Sequence, residues 1–289
     1  MSTAKVFFTP ELTPEAVVRA YLALGVELPG KVAVKVHSGE VGNQNFIRPD
    51  FVKLVIDHAH GVIVESNTAY PGKRNTSAEH WETMRTHGWT DIAEVVILDE
   101  TDELELAIPN GVRIQKSFVG AHLPEYDSLL VLSHFKGHPM GGFGGALKNI
   151  SIGIASSHGK AHIHGAGNPE KKWSTAQDDF LDSMADASSA IVDLFGPGRI
   201  GFVNIMKNMS VDCDCCAVAE DPRLGDIGVL SSLDPVALDQ ACVDLVYNSD
   251  DPGKQHLIER IESKNGIRTV EKAADLGVGS REYEIVEID

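Results

Sequence analysis

The sequence predicts an α/β fold, a mostly parallel sheet flanked by helices, arranged as two lobes or as one enlarged sheet. Three observations predict it. Short β-branched runs alternate with amphipathic stretches through the first half of the chain, the pattern of right-handed crossovers between parallel strands. The strand candidates are short and bounded by glycine, as buried strands of a parallel sheet are. Of the 289 residues, 43% are hydrophobic, enough for one large core or two closely packed lobes without cross-links.

Thr13-Pro14-Glu15 supplies a capping hydroxyl, a proline suited to the first helical position and a first-turn acid, and Gly25 stops that helix. Val32 to His37, between Gly30 and Gly39, is the first strand. Arg48-Pro49-Asp50 opens a helix whose apolar face is read as Phe51, Leu54, Val55 and Ala59, ending at His60-Gly61. Val62 to Glu65 is the second strand, Ser77 to His87 a helix and Glu94 to Leu98 the third strand. Between Glu100 and Ala121 the pattern is less regular and suggests a β excursion, Leu104 to Ile108 and Arg113 to Phe118. The expected boundary lies there, with lobes at 1–120 and 121–289 unless the two halves form a single domain. Beyond it come a strand at Ser128 to Ser133, a long helix at Asp178 to Phe195 and a strand at Ile200 to Met206. Asp234-Pro235 starts a helix to Tyr247, two more follow at Pro252 to Lys264 and Thr269 to Leu276, and Tyr283 to Val286 is a final strand.

A net charge of −17 repels phosphate backbones and anionic lipid, which argues against nucleic acid as a partner. No apolar run approaches the roughly 20 residues of a membrane helix, and Met1 to Phe8 lacks the regions of a signal peptide, so no membrane association and a cytoplasmic location are expected. Three of the four cysteines, Cys213, Cys215 and Cys216, share one tetrapeptide, which rules out a spaced disulfide framework and fits a reducing compartment.

In open α/β sheets ligands gather beyond the carboxyl ends of the strands. The residues there are His37 and Glu40; Asn67, Tyr70, Lys73 and Arg74; His134, Lys136 and His138; and Asp212 to Cys215. If Cys213 and Cys215 lie in extended chain, they point the same way and grip one metal or cluster, with Cys216 facing away. Two thiolates do not complete a tetrahedral site, and His134 and His138 are the available imidazoles. The bland alternative is three buried or idle cysteines; Cys242, on a helical apolar stripe, reads as a small hydrophobe. His158, His162 and His164 alternate as on one face of a strand, a metal-binding pattern or a solvated loop. Gly141 to Gly145, followed by Lys148, and Pro71 to Thr76, with Lys73 and Arg74, are two anion cradles or two structural turns.

At these residues the chain resembles the iron–sulfur centre proteins of the domain-of-unknown-function 362 group. The resemblance is carried by Val34 to Asn43, Thr68 to Arg74, His134 to His138 with Gly142 to Asn149, Cys213-Asp214-Cys215, and Asp226 to Gly228 with Ser232 to Ala237, from about Lys31 to Tyr247. It implies an α/β core and an association with iron–sulfur clusters in anaerobic metabolism; the family's reaction is not established. Many relatives carry a ferredoxin-like insert after the segment matching His158 to His164, where this chain has only the cysteine-free Gly165 to Ser174. No ferredoxin-type cluster pair is expected.

The expectation is a metal-dependent enzyme, redox or small-molecule-converting, that holds a transition metal or iron–sulfur centre. Its candidate ligands are Cys213, Cys215, His134 and His138, and its candidate acid and base are Glu40 and Lys136. Lys73, Arg74, Gly144, Gly145 and Lys148 are the candidates for binding an anionic cofactor or substrate. The partners implied are a small-molecule anion and a redox protein. The alternatives are a non-catalytic carrier of metal, sulfur or a cluster, and a metal-free binder of an organic anion.

Overall fold

The computed structural model describes residues 3–289. One eight-stranded sheet runs through it, made of β1 (Ala4–Thr9), β2 (Val32–Lys35), β3 (Val62–Glu65), β4 (Val95–Ile97), β7 (Ser128–His134), β10 (Ile200–Met206), β11 (Gly228–Ser232) and β12 (Tyr283–Glu287). Two small hairpins lie outside it, β5 (Glu103–Ala107) with β6 (Lys116–Gly120), and β8 (Lys136–His138) with β9 (Gly142–Gly144). The helices are α1 (Pro14–Ala23), α2 (Pro49–His58), α3 (Ser77–Thr86), the short α4 (Ala146–Lys148) continued by a π turn (Asn149–Gly153), α5 (Ser157–His164), α6 (Gln177–Phe195), α7 (Pro235–Asn248), α8 (Lys254–Ser263) and α9 (Arg268–Asp275). No helix among the described residues is long and apolar enough to cross a membrane.

The strand order is β12-β1-β11-β10-β7-β2-β3-β4, and β11 alone runs against its neighbours. Of the two arrangements the sequence allowed, this is the single enlarged sheet: β1 lies between β11 and β12, so the two halves of the chain interleave. From β2 the chain builds outward through β3 and β4, and from β7 it builds the other way through β10 and β11. The switch point, where a crevice opens beyond the strand ends, therefore lies between β2 and β7.

Both faces of the sheet are covered. All seven residues of β7 are buried, with Leu129 and Val131 in one apolar cluster and Leu130 and Leu132 in the other, as the two-residue repeat of a strand requires. The α1–α2 side includes Tyr21, Val55 and Trp89; the opposite side includes Ile191, Leu238 and Ile261 from α6, α7 and α8.

The helix starts follow their caps. Thr13 accepts from Ala16 N, and Asp234 accepts from the amides of Val236 and Ala237. The structure corrects several expectations. The buried face of α2 is Pro49, Val52, Val55 and Ile56, and Leu54 is exposed. The strands β1, β8, β9 and β11 were not expected. The run His158 to His164, read as a strand or a solvated loop, lies in α5: Ser156 Oγ accepts from Gly159 N, and Gly159 lets the helix press against β6, where a Cβ would lie 2.1 Å from Phe118 O.

Candidate metal and anion site

Four adjacent strand ends, of β3, β2, β7 and β10, deliver the polar residues of the switch point. Lys35 ends β2 fully buried, and its Nζ donates to Glu65 Oε2 at 2.7 Å and to the Val36 carbonyl. Burial works against the Glu65 charge, but Lys35, His37, His80 and Arg74 hold its carboxyl well below the usual range. Arg74 is buried as well. Its Nε donates to Glu40 Oε2 at 3.3 Å, its Nη1 lies 3.8 Å from Glu65 Oε1, and its Nη2 donates to Tyr70 Oη at 3.0 Å. Glu40 also accepts from Lys73 N at 2.8 Å. This candidate acid or base is thus bound by a guanidinium and an amide, while the Lys73 side chain extends to solvent near Glu79.

Beyond β7, Lys136 Nζ lies 3.2 Å from Asp214 Oδ2 and donates to the His134 carbonyl. His134 Nδ1 contacts both Asp214 oxygens at 2.9 and 3.0 Å, and its Nε2 meets the Lys207 carbonyl at 2.6 Å. Both ring nitrogens are taken up by these oxygen contacts, so neither is turned toward the cysteines. Burial opposes the Asp214 charge, yet His134 and Lys136 hold its carboxyl well below the ordinary value.

The loop after β10 carries the cysteines in a turn rather than in extended chain: Cys216 N donates to Cys213 O at 2.9 Å, and Cys215 N approaches Cys213 Sγ at 3.4 Å. The turn is buckled to its neighbours. Glu40 N donates to Asp214 O, Asn43 Nδ2 to Cys216 O, and Gly137 N to Ser210 O. Gly137 presses so close that a Cβ there would lie 2.3 Å from Val211 O. The result brings ligand atoms of His138, Cys213 and Cys215 within 4.8 Å of one another. His134 stays outside this group because Asp214 and Lys207 claim it.

Two soft thiolates and an imidazole suit a single transition-metal ion with an open fourth position. They do not suit a four-thiolate cluster. Cys216 is not in the group, and Cys242 is buried on α7, where Asn204 Nδ2 approaches its sulfur at 3.4 Å. His138 Nδ1 accepts from Met140 N at 3.1 Å and Gly141 N at 2.8 Å, which puts the proton of the neutral ring on Nε2. Ligation through Nε2 therefore requires the 140–141 turn to yield, and the two sulfurs are the firmer donors. Burial, with Lys148 nearby, pushes His138 down to about 3, so its ring is neutral.

A pocket of about 60 Å³ opens beside Cys215 and His138, lined also by His37, Lys148, Lys160 and His164. A smaller space of about 30 Å³ adjoins it and touches Gly144, Gly145, Lys136 and Lys148. The amides that follow the glycine run do not face either space: Ala146 N and Leu147 N donate at 2.7 and 2.9 Å to the buried Asp239 of α7. That carboxylate explains Gly145, since a Cβ there would sit 2.3 Å from Asp239 Oδ1. Burial raises Asp239 to about 6, against the pull of those amides and of Asn204.

Sequence reasoning gave no role to Lys160, which sits within the histidine run, or to Asp239. It named His164 without its role. His164 Nδ1 donates to the Lys160 carbonyl at 2.7 Å, leaving Nε2 as the lone-pair nitrogen on a ring that lines the pocket. His158 and His162 lie elsewhere, against Glu103 and Phe118.

No curated protein sequence matches the chain. Among solved structures it is similar to the lactate racemase apoprotein from Thermoanaerobacterium thermosaccharolyticum, at 13% identity and a TM-score of 0.45 over 98% of this chain and 82% of that one. It is also similar to a protein from Thermotoga maritima, at 11% identity and a TM-score of 0.49, over 82% of this chain and 59% of the other. A family profile described as Domain of unknown function (DUF362) matches residues 32–244, which span every strand end of the crevice. The chain belongs to that family.

Proposed function

We propose that this protein is a metal-dependent enzyme that acts on a small organic anion at the switch point of its sheet. Cys213 and Cys215 would hold a soft transition metal, with His138 as the nearest imidazole. The reading rests on one observation: ligand atoms of His138, Cys213 and Cys215 converge within 4.8 Å, and two of those residues line a pocket that also holds Lys148 and Lys160. A thiolate-bound metal would supply Lewis acidity or electron transfer there. The protein's own part is to bind and orient. Lys148 carries a charge that no carboxylate among the described residues neutralises at salt-bridge distance. In a chain of net charge −17, such a local cation marks the place for an anion.

The deciding experiment is element-resolved metal analysis with an absorption spectrum, on protein purified without oxygen or an affinity tag. Wild type should carry about one metal per chain, and Cys213→Ser/Cys215→Ser should lose it. Equal metal content in the two proteins, or none in either, would remove the assignment. Labile, substoichiometric metal without turnover would favour a carrier instead.

A further inference from the structure

Four lysines and arginines are buried among the described residues: Lys35, Arg74, Lys136 and Lys160. Lys35 is paired with Glu65, Arg74 with Glu40 and Glu65, and Lys136 with Asp214. Lys160 differs. Its Nζ meets only main-chain carbonyls, Ala155 O at 2.6 Å and Ser66 O at 3.4 Å, and it lines the same pocket as Lys148.

The two carbonyls determine what this amine can do. A neutral amine has two N–H bonds and one lone pair, so the carbonyls take both hydrogens and the lone pair is left for the pocket. An ammonium keeps both bonds and gains a third N–H with no protein partner. The site therefore serves the neutral and the protonated form alike. It does not serve an imine, because a protonated imine keeps a single N–H and would strand one of the carbonyls.

We propose that Lys160 is the proton-transfer residue of this site, acting on a small carboxylate anchored by Lys148. In the step, the lone pair of Lys160 Nζ takes a proton from an acidic C–H or O–H of the bound anion. The substrate keeps the electron pair and Lys160 becomes an ammonium, and the reverse transfer returns the proton. While Lys160 is neutral, Lys148 is the one pocket cation without a carboxylate partner, which matches a monoanion better than a dianion. The proposal rests on the reading of the pocket as an anion site.

The surroundings agree. Burial pushes Lys160 down to about 7. Asp99 beyond β4 and Glu65 at the end of β3 oppose the shift, and Lys35 and Arg74 add to it. His80 of α3 and His164 of α5 also face this charge, and burial holds both rings neutral near physiological pH.

The test is a pH titration of lysine ε-carbon resonances in the full chain, with Lys160→Met to assign the signal and Lys160→Arg as the second assigning variant if the first does not fold. One resonance, missing from the variant, should titrate near pH 7, about three units below the exposed lysines. Acetate should raise its midpoint by stabilising the ammonium, and should do so at lower concentration than inorganic phosphate. A midpoint among the exposed lysines, or one that acetate leaves in place, would overturn the proposal. Metal content is measured on the same samples: a wild type without metal defeats the metal reading, yet leaves the lysine's midpoint and its response to acetate to be judged separately.

Discussion

At the scale of single residues, the partner and not the residue type decides what a side chain does. His134 and His138 were candidate ligands and His164 part of an alternating run, but the first faces two acceptors, the second accepts from two amides and the third donates to a carbonyl. None of this is legible in sequence, because each partner comes from packing that joins distant segments. The cysteine tetrapeptide was legible because its clustering is local; Lys160 and Asp239 were hidden because their burial is not. Two predictions belong here. Arg74→Met strips the guanidinium from buried Glu40 and Glu65, and should lower unfolding free energy by about 3–5 kcal/mol. Asp239→Asn turns an NH2 group toward an amide that now has an acceptor, at a cost of about 1–3 kcal/mol. Denaturant unfolding measures both, and an unchanged midpoint in either would mean that the site relaxes around the loss.

Elements whose signals are local were the readable ones. Thr13 and Asp234 cap the helices they were expected to cap, and the β-branched runs of β2, β3 and β10 are strands. Elements that tertiary contact makes were missed. Lys136–His138 and Gly142–Gly144 have little strand character and pair because the turn after His138 returns the chain on itself. In α5, a capping serine and a close glycine outweigh the alternating histidines. The contact between β8 and the cysteine loop gives a third prediction. Gly137→Ala places a methyl against Val211 backbone and should cost about 1–3 kcal/mol while pushing the loop away. Its metal content should fall along with its stability; full metal retention would show that the loop holds its shape without β8.

For the molecule as a whole, buried titratable groups set the response to acid. Burial takes His80 and His138 down to about 3 and His37 and His164 to about 4, so the folded state holds fewer protons than the unfolded one just below pH 6.5. Their contribution is fully present above the unfolded value and is lost as pH falls toward the folded ones. The four rings together amount to at most about 5.4 kcal/mol per pH unit. Asp239, raised to about 6, acts in the opposite sense between its unfolded value of 3.8 and 6, and cancels about a quarter of that slope. Urea unfolding at pH 6.5 and 4.5 should therefore show a net loss on acidification, and a flat profile would mean that the folded state admits protons to these rings.

The sheet topology also bears on how the chain is made. The hydroxyl of Ser232 on β11 donates to Lys5 O on β1 across 227 positions, and β12 covers the other edge of β1 from still later in the chain. β1 is thus made before every other strand of the sheet, and both of its partners are made after β10. Closure of this side of the sheet is expected to wait for β11 and β12, and a nascent chain halted before Gly228 would carry Ala4–Thr9 without either partner strand, an open edge of the kind that invites aggregation.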